Sequence, residues 1–188
     1  MKRKLGPVRM HRHIAAACLL ALILMCWTQL PISACGYHDS KDTRQGILNW
    51  VYPDSLHVRG AIWRAQASGE LPKADTASYQ ETERVLRVLS GRFGKLTPDD
   101  RLERFPVVLV ETVLWSQFTL TGAQNKVAID VDGPLVGNLV VVTDDPVLYA
   151  IERGTLAVSK AVESDLVKLY GQPEQVSNFL ELYGTVGG

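Results

Sequence analysis

The pattern of apolar and polar positions divides the chain into a short N-terminal apolar run and a longer region of helical and strand periods. Lys2, Arg3, Lys4, Arg9 and Arg12 precede fourteen uncharged residues, 14–27, and Thr28, Gln29 and Pro31 then interrupt that run. Residues 36–46 are polar and carry no apolar period. Pro53 and Asp54 open a predicted helix that Gly69 closes. Leu56, Gly60, Trp63 and Ala67 recur along it at helical spacing, which places Trp63 in the core. Ser78 and Glu81 fit a capping box at the start of a second helix. Its apolar stripe is Tyr79, Leu86, Leu89, Phe93 and Leu96, and Glu81, Glu83, Arg84, Arg87 and Arg92 form its solvated face. Thr97, Pro98, Asp99 and Asp100 predict a further short helix, with proline at the first position.

From Pro106 the texture becomes that of strands. Residues 107–120 hold no glycine or proline and read as one strand, apolar on both faces over VVLVETVLW, as a covered central strand would be. A turn over residues 121–125 leads to an alternating strand over 126–132, with Val127, Ile129 and Val131 on one face. Lys126, Ala128, Asp130 and Asp132 take the other, and Gly133-Pro134 ends the strand. Residues 138–143 (NLVVVT) give a further strand, and Asp144, Asp145 and Pro146 then start a helix that stops at Gly154. A short helix after Ser159, a strand over 166–170 and an amphipathic helix over 173–183, ended by Gly184, complete the chain. The order predicts an α+β fold: N-terminal helices, then a mostly antiparallel twisted sheet with short helices inserted and a C-terminal helix.

A basic head, a short apolar core and small residues near a cleavage point are the pattern of a secretory signal, here residues 1–34. The fourteen-residue run falls short of the about 20 residues that span a bilayer. Extension through Leu30 and Ile32 would instead make it a retained anchor helix. The basic residues hold the N-terminus on the cytoplasmic side in either case. Ile32, Ser33, Ala34 and Cys35 resemble the lipobox of bacterial lipoproteins, with Ile32 where that family usually has leucine. The resemblance implies that Cys35 takes a diacylglycerol through a thioether and becomes the first mature residue. Two acyl chains suffice for stable membrane anchoring. An ordinary signal peptidase cutting after Ala34 is the other reading of the same residues. Gly36 in place of Asp implies, by the same resemblance, delivery to the outer membrane, with the domain facing the periplasm. Cys18 and Cys26 fall within the signal, so Cys35 is the single mature cysteine. Lipidation accounts for an unpaired thiol in an oxidising compartment. The expected organisation is a signal over 1–34, a polar tether over 35–46 and one domain over 47–188.

Charge then narrows the partners. Five of the 20 Lys and Arg residues lie in the signal, leaving 15 against 20 Asp and Glu, a net of −5. Such a domain is a poor partner for nucleic acid, where phosphate neutralisation dominates, and shows no basic patch for anionic lipid. Candidate chemistry is sparse. Beyond residue 34 the histidines are His38 and His57. Cys35, His38 and Asp39 are the nearest approach to a metal set and fall short of four ligands, so no metal or cofactor is expected. Neither a Gly-x-Ser-x-Gly elbow nor a Ser-x-x-Lys motif is present. Asp54, Ser55 and His57 lie too close along the chain for a triad, and His57 is expected as a partly buried helix residue. Asp99-Asp100 and Asp144-Asp145 adjoin prolines and read as helix N-terminal charges. Asp130 and Asp132 share a strand face. No residue is assigned a catalytic role.

The segments LVVVT (139–143), DDPVLYAIERG (144–154), LAVSKA (156–161), LVKLYG (166–171) and EQVSNFLELY (174–183) resemble the C-terminal half of sterol carrier protein type 2-like domains. That family usually has glycine where Asp165 stands. The resemblance implies a twisted sheet under helices and an apolar tunnel for a lipid. Val147, Leu148, Ile151, Leu156, Phe179, Leu180 and Tyr183 would line it. The expected function is a non-catalytic domain that binds a small apolar ligand or lipid. A second class is an envelope scaffold that binds another protein through exposed Trp50, Tyr52 and Trp63, since aromatic patches are typical of such sites.

Overall fold

The computed structural model describes residues 41–73, 78–122, 124–133 and 139–188. The signal, Cys35 with its lipobox, and the Cys35, His38 and Asp39 group lie outside the described residues. The elements are α1 (Lys41–Val51), α2 (Ser55–Ser68), α3 (Tyr79–Leu96), β1 (Leu102–Leu109), β2 (Leu114–Thr121), β3 (Gln124–Ile129) and β4 (Leu139–Thr143). They continue with α4 (Asp145–Arg153), α5 (Val158–Glu163), β5 (Lys168–Gly171) and α6 (Pro173–Tyr183). The strands form one sheet in the order β3-β2-β1-β4-β5. Every pairing is antiparallel except β1 with β4. The fold is therefore α+β, with a mostly antiparallel open sheet.

The sheet's two faces carry different loads. Cross-strand partners share a face, so the register puts Phe105, Val107, Phe118, Val127 and Val141 on one side. Helix α3 lies across β2 and β3 there, and α4 and α6 pack beside it. Val108, Trp115, Val142 and Tyr170 belong to the opposite side. Tyr52 meets Trp115 and Tyr170 there, at ring-centroid distances of 5.8 and 4.9 Å. Helices α1 and α2 thus cover the β1–β4–β5 half of that face and bury Leu48, Val58, Ile62 and Ala65.

The 107–120 segment is not one strand but a hairpin, β1 and β2 joined by a tight turn over 110–113. The turn lacks glycine, proline and asparagine, and instead puts Val113 in the left-handed region at φ 51°. A β-branched residue resists that conformation, so partners distant in sequence hold the turn. Val110 donates its N–H to the Thr143 carbonyl at 2.9 Å and accepts from Gln45 Nε2 at 2.8 Å. Arg59 pairs with Glu111 at 2.6 Å.

Other differences follow from partners that local sequence does not show. Helix α1 begins at Lys41, inside the segment read as a tether, and Gln45 ties it to the hairpin. Residues 97–100 form a single turn, closed by Arg101 N–H on the Pro98 carbonyl, because β1 starts at Leu102. On α2 the apolar row Leu56, Gly60, Trp63 and Ala67 is real, but it points outward. Trp63 is 58% exposed, and the buried row is Val58, Ala61, Ile62 and Ala65. On α3 the stripe is buried at Leu86, Leu89 and Phe93, while Tyr79 and Leu96 at its ends are exposed. Its charged face is also not merely solvated. Arg84 pairs with Glu81 and with Glu152 of α4, and Arg92 donates to the Ile151 carbonyl at α4's end.

Helix ends show how far caps were readable. Ser78 Oγ accepts the Glu81 N–H at 3.3 Å, but Glu81's carboxylate turns to Arg84 rather than back to the cap. The reciprocal box occurs at α6, between Gln172 and Gln175. Helix α5 has no side-chain cap; its Val158 and Ser159 N–H groups donate to the carbonyls of Val186 and Gly184. Gly187, at φ 88°, lets this C-terminal tail pass so close to Leu156 that a Cβ would collide with the Leu156 carbonyl oxygen. Glycine alone suits that position.

The core centres on five rings from four elements. Phe105 stacks on Phe118 at 5.2 Å and 8°, and Phe179 approaches Phe105 edge-on at 5.2 Å. Phe93 and Phe179 close on Tyr183 at 5.0 and 5.2 Å. Tyr183 is fully buried, and its hydroxyl shares a 2.8 Å hydrogen bond with Thr97 Oγ1, which donates in turn to the Phe93 carbonyl. Tyr183→Phe should therefore cost about 1 kcal/mol, one net hydrogen bond. Tyr183→Ala should cost about 3–5 kcal/mol, as large-to-small core changes do. Urea unfolding followed by circular dichroism measures both, and equal losses for the two variants would show that the hydroxyl, not the ring, carries the effect.

Candidate functional site

Two spaces flank the aromatic cluster. The first is enclosed and small, about 30 Å³, with Phe105, Val107, Phe118, Val141, Leu148, Ile151 and Phe179 among its lining. It lies between the sheet and helices α3, α4 and α6. Apart from Thr143 its lining is apolar, and a gap of this kind stays dry. Drug-sized ligands occupy pockets of about 300–1,000 Å³, so this space is a packing defect in the core and not a tunnel.

The second space is an open cleft of about 270 Å³ where the start of β1 meets the start of β4 and the first turns of α6. Phe105, Leu139 and Phe179 contribute apolar surface, and Arg101, Glu103, Arg104, Gln175 and Asn178 bring polar groups. Arg101 and Glu103 form an ion pair. Among the described residues, Arg104 has no carboxylate partner. Phe105 and Phe179 line both spaces, so this edge-to-face pair is the wall between the cleft and the core gap. The cleft can seat a small ligand with one apolar and one polar end, its size just below the usual range.

The proposed lining residues divide. Leu148, Ile151 and Phe179 line the enclosed gap, and Phe179 also lines the cleft. Val147 and Tyr183 are fully buried packing residues, and Leu156 and Leu180 lie half-buried against the core; none of these four lines either space. The residues missed, Arg101 to Phe105 with Gln175 and Asn178, come together only through tertiary structure. A Phe inside a strand that begins Leu-Glu-Arg-Phe was the one available signal.

The acidic candidates are placed as follows. Asp130 lies past the end of β3 in a left-handed conformation, φ 57°, so it and Asp132 do not share a strand face. His57 is exposed on α2 rather than partly buried, and Ser55 donates to Asn49 Oδ1. Asp99 and Asp100 are exposed in the turn before β1. Among the described residues, no three His, Cys, Asp or Glu side chains group as metal ligands would.

Asp144 and Asp145 are the exception to this exposure, both buried at the start of α4. Their side chains do not cap the helix. Asp145 Oδ1 accepts from Thr82 Oγ1 at 2.6 Å, and Tyr149 OH lies 3.3 Å from that hydroxyl. Asp144 Oδ1 faces the Glu111 N–H across 3.5 Å, beneath the strained hairpin turn. Burial, reinforced by the Asp145 charge, pushes the Asp144 carboxyl up to about 7. Burial also raises Asp145, against the lowering effect of the Thr82 hydrogen bond. Neither lines the cleft or the enclosed gap. The pair joins α3, α4 and the hairpin.

No protein-family model matches the sequence, and no curated protein does. Solved structures resemble about half of the chain. The sec-alkylsulfatase Pisa1 of Pseudomonas sp. matches at 17% identity and a TM-score of 0.36, over 50% of this chain and 14% of its own. The chain thus spans about a seventh of that enzyme. The palmitated SCP2L2 of Aedes aegypti, solved in solution, matches at 18% identity and a TM-score of 0.40, over 54% of this chain and 92% of its own. A conserved hypothetical protein of Thermus thermophilus, described as possibly a sterol carrier protein, matches at 13% identity and a TM-score of 0.40, over 60% and 85%. SCP2L2 bears the name of the family that residues 139–183 resemble. At these scores the likenesses assign neither family nor function.

Asp144 gives a pH prediction with a definite sign. Its folded value of about 7 stands above the usual 3.8, so the native state holds a proton that the unfolded chain releases first. Its stabilising contribution is full below about pH 4 and is lost as pH rises through about 7. Asp144→Asn should remove that loss, with a gain over wild type on the order of a few kcal/mol near pH 8 and little gain near pH 4. Thermal unfolding of both proteins across this range checks it; a constant offset between the two curves would count against a titrating Asp144.

Proposed function

We propose that this chain is an exported, membrane-anchored lipoprotein whose α+β domain is a non-catalytic binder of a small apolar or amphipathic ligand, such as a lipid. The basic head, the apolar run and the lipobox-like Ile32–Cys35 support export and anchoring at Cys35, with the domain facing the periplasm. The observation that carries the binding reading is the shared Phe105–Phe179 wall. The cleft offers about 270 Å³, and Phe179 stands between it and the apolar gap behind. A ligand would then lay its apolar end along Phe105, Phe179 and Leu139, with its polar end among Arg101, Arg104 and Asn178. The resemblance of residues 139–183 to sterol carrier protein type 2-like domains points to the same class of ligand.

Nothing in this arrangement calls for catalysis. The carboxyls whose acidity burial weakens sit at Asp144 and Asp145, away from the cleft, and the cleft pairs Arg101 with Glu103 rather than aiming a nucleophile and base at a common point.

Native mass spectrometry of the mature chain, purified gently from membranes and again after incubation with a total lipid extract, tests the reading. The expected result is an added mass that vanishes on denaturation and extracts as a lipid. Asn178→Trp, which fills the cleft from α6, should abolish that adduct while circular dichroism stays unchanged. A chain that remains free of adduct after incubation would remove the binding proposal.

A further inference from the structure

Helices α1 and α2 bury one face on the sheet and leave a second apolar face in solvent. Trp50 is 84% exposed, Trp63 58% and Leu56 55%, with Ile47 and Val51 about two-fifths exposed. On α1, Ile47, Trp50 and Val51 stand at the spacing of one helix face, and on α2 Leu56 and Trp63 lie two turns apart on another. The corner between the helices is only residues 52–54, so these side chains flank one short bend. An indole this exposed contributes nothing to the fold's core. Arg59 stacks over the Trp63 ring at 4.9 Å, which orients the ring without covering it.

Two features of the chain name the occupant. The first is distance along the sequence. The apolar run ends at Trp27 and Cys35 lies six positions before Lys41. Six residues reach at most about 22 Å, and the helix from Lys41 to Trp50 adds about 14 Å. A lipid on Cys35 therefore bounds how far this face can stand from a bilayer, and a retained anchor ending at Ile32 would allow about 32 Å of chain before Lys41. The second is charge. Residues 41–68 hold Lys41, Arg44, Arg59 and Arg64 against Asp42 and Asp54, a net of +2, whereas residues 69–188 hold 11 basic and 17 acidic residues. The helices that carry the exposed indoles are net basic, whereas the rest of the domain taken together is net acidic.

We infer that the outer face of α1 and α2 is an interfacial membrane contact, seated on the lipid surface next to the anchor. This rests on the proposed membrane anchoring and adds an orientation to it. Tryptophan suits the role because its ring settles at the headgroup level of a bilayer. The weak positive charge admits an anionic surface without providing a grip on it, so the aromatic residues carry the contact. The remainder of the domain, net acidic as a whole, is disfavoured at an anionic surface.

The full chain, purified from membranes and reconstituted into vesicles of phosphatidylethanolamine and phosphatidylglycerol, provides the test. Flotation with the vesicles reports anchoring. Tryptophan emission is then compared between wild type and Trp50→Phe/Trp63→Phe, since the difference isolates Trp50 and Trp63 from the other tryptophans of the chain. Both replaced residues are exposed, so the variant keeps its fold. The expected result is that about half or more of the difference emission is lost when the acyl chains are brominated, as for an indole at the bilayer interface. Flotation without such quenching overturns the inference while leaving anchoring intact, and returns the face to a protein partner. A chain that does not float overturns both.

Discussion

Phe105 is the residue on which the rest of the molecule leans. It sits in β1, the central strand, stacks on Phe118 of β2 and takes the edge of Phe179 from α6. Through Phe93 and Tyr183 the same cluster reaches α3 and the C-terminal helix. Aromatic pairs in offset or edge-on geometry add to the large apolar area they bury. The cluster thus joins elements from residues 93 to 183 that share no local signal, and its outer edge forms the wall of the cleft. Packing and candidate binding surface are two sides of one pair of rings.

The sheet is the divider between two kinds of chemistry. The face under α3, α4 and α6 is almost wholly apolar; among its polar groups Thr143 donates to the Leu166 carbonyl and Thr82 to Asp145, while the buried Ser90 and Ser116 hydroxyls have no partner among the described residues. The face under α1 and α2 is only half covered, and its helices continue outward into an apolar surface. A helix pair with an inner and an outer apolar row costs solubility unless the outer row meets something. The cleft, at the other end of the sheet from the hairpin turn, is free of both the buried acids and the outward indoles.

Legibility in the sequence followed the reach of the signals. Helices α4 and α6 and strand β4 were readable, because Pro146 with Gly154, and Pro173 with Gly184, punctuate them locally. The hairpin was not, because its turn is fixed by Thr143, Gln45, Arg59 and Asp144 rather than by a turn residue. Periodicity found the Leu56–Trp63 row on α2 but could not tell inside from outside, since Val58, Ala61, Ile62 and Ala65 make a second row. Of the lining residues, Leu148, Ile151 and Phe179 reach a space at all, and the cleft itself joins residues 101–105 to 175–179 by tertiary contact alone. A capping role for Asp144 was a fair reading of its position, but not of its side chain, which is spent on the hairpin.

The hairpin latch has a consequence for the order in which the chain is made. Glu111 precedes its partner Asp144 by 33 residues, and chains are synthesised from the N-terminus. The Val110–Val113 turn therefore leaves the ribosome after Gln45 and Arg59, which contact it, and well before Thr143 and Asp144, which complete its hold. The contacts that hold the turn are completed only when the C-terminal half of the chain is available.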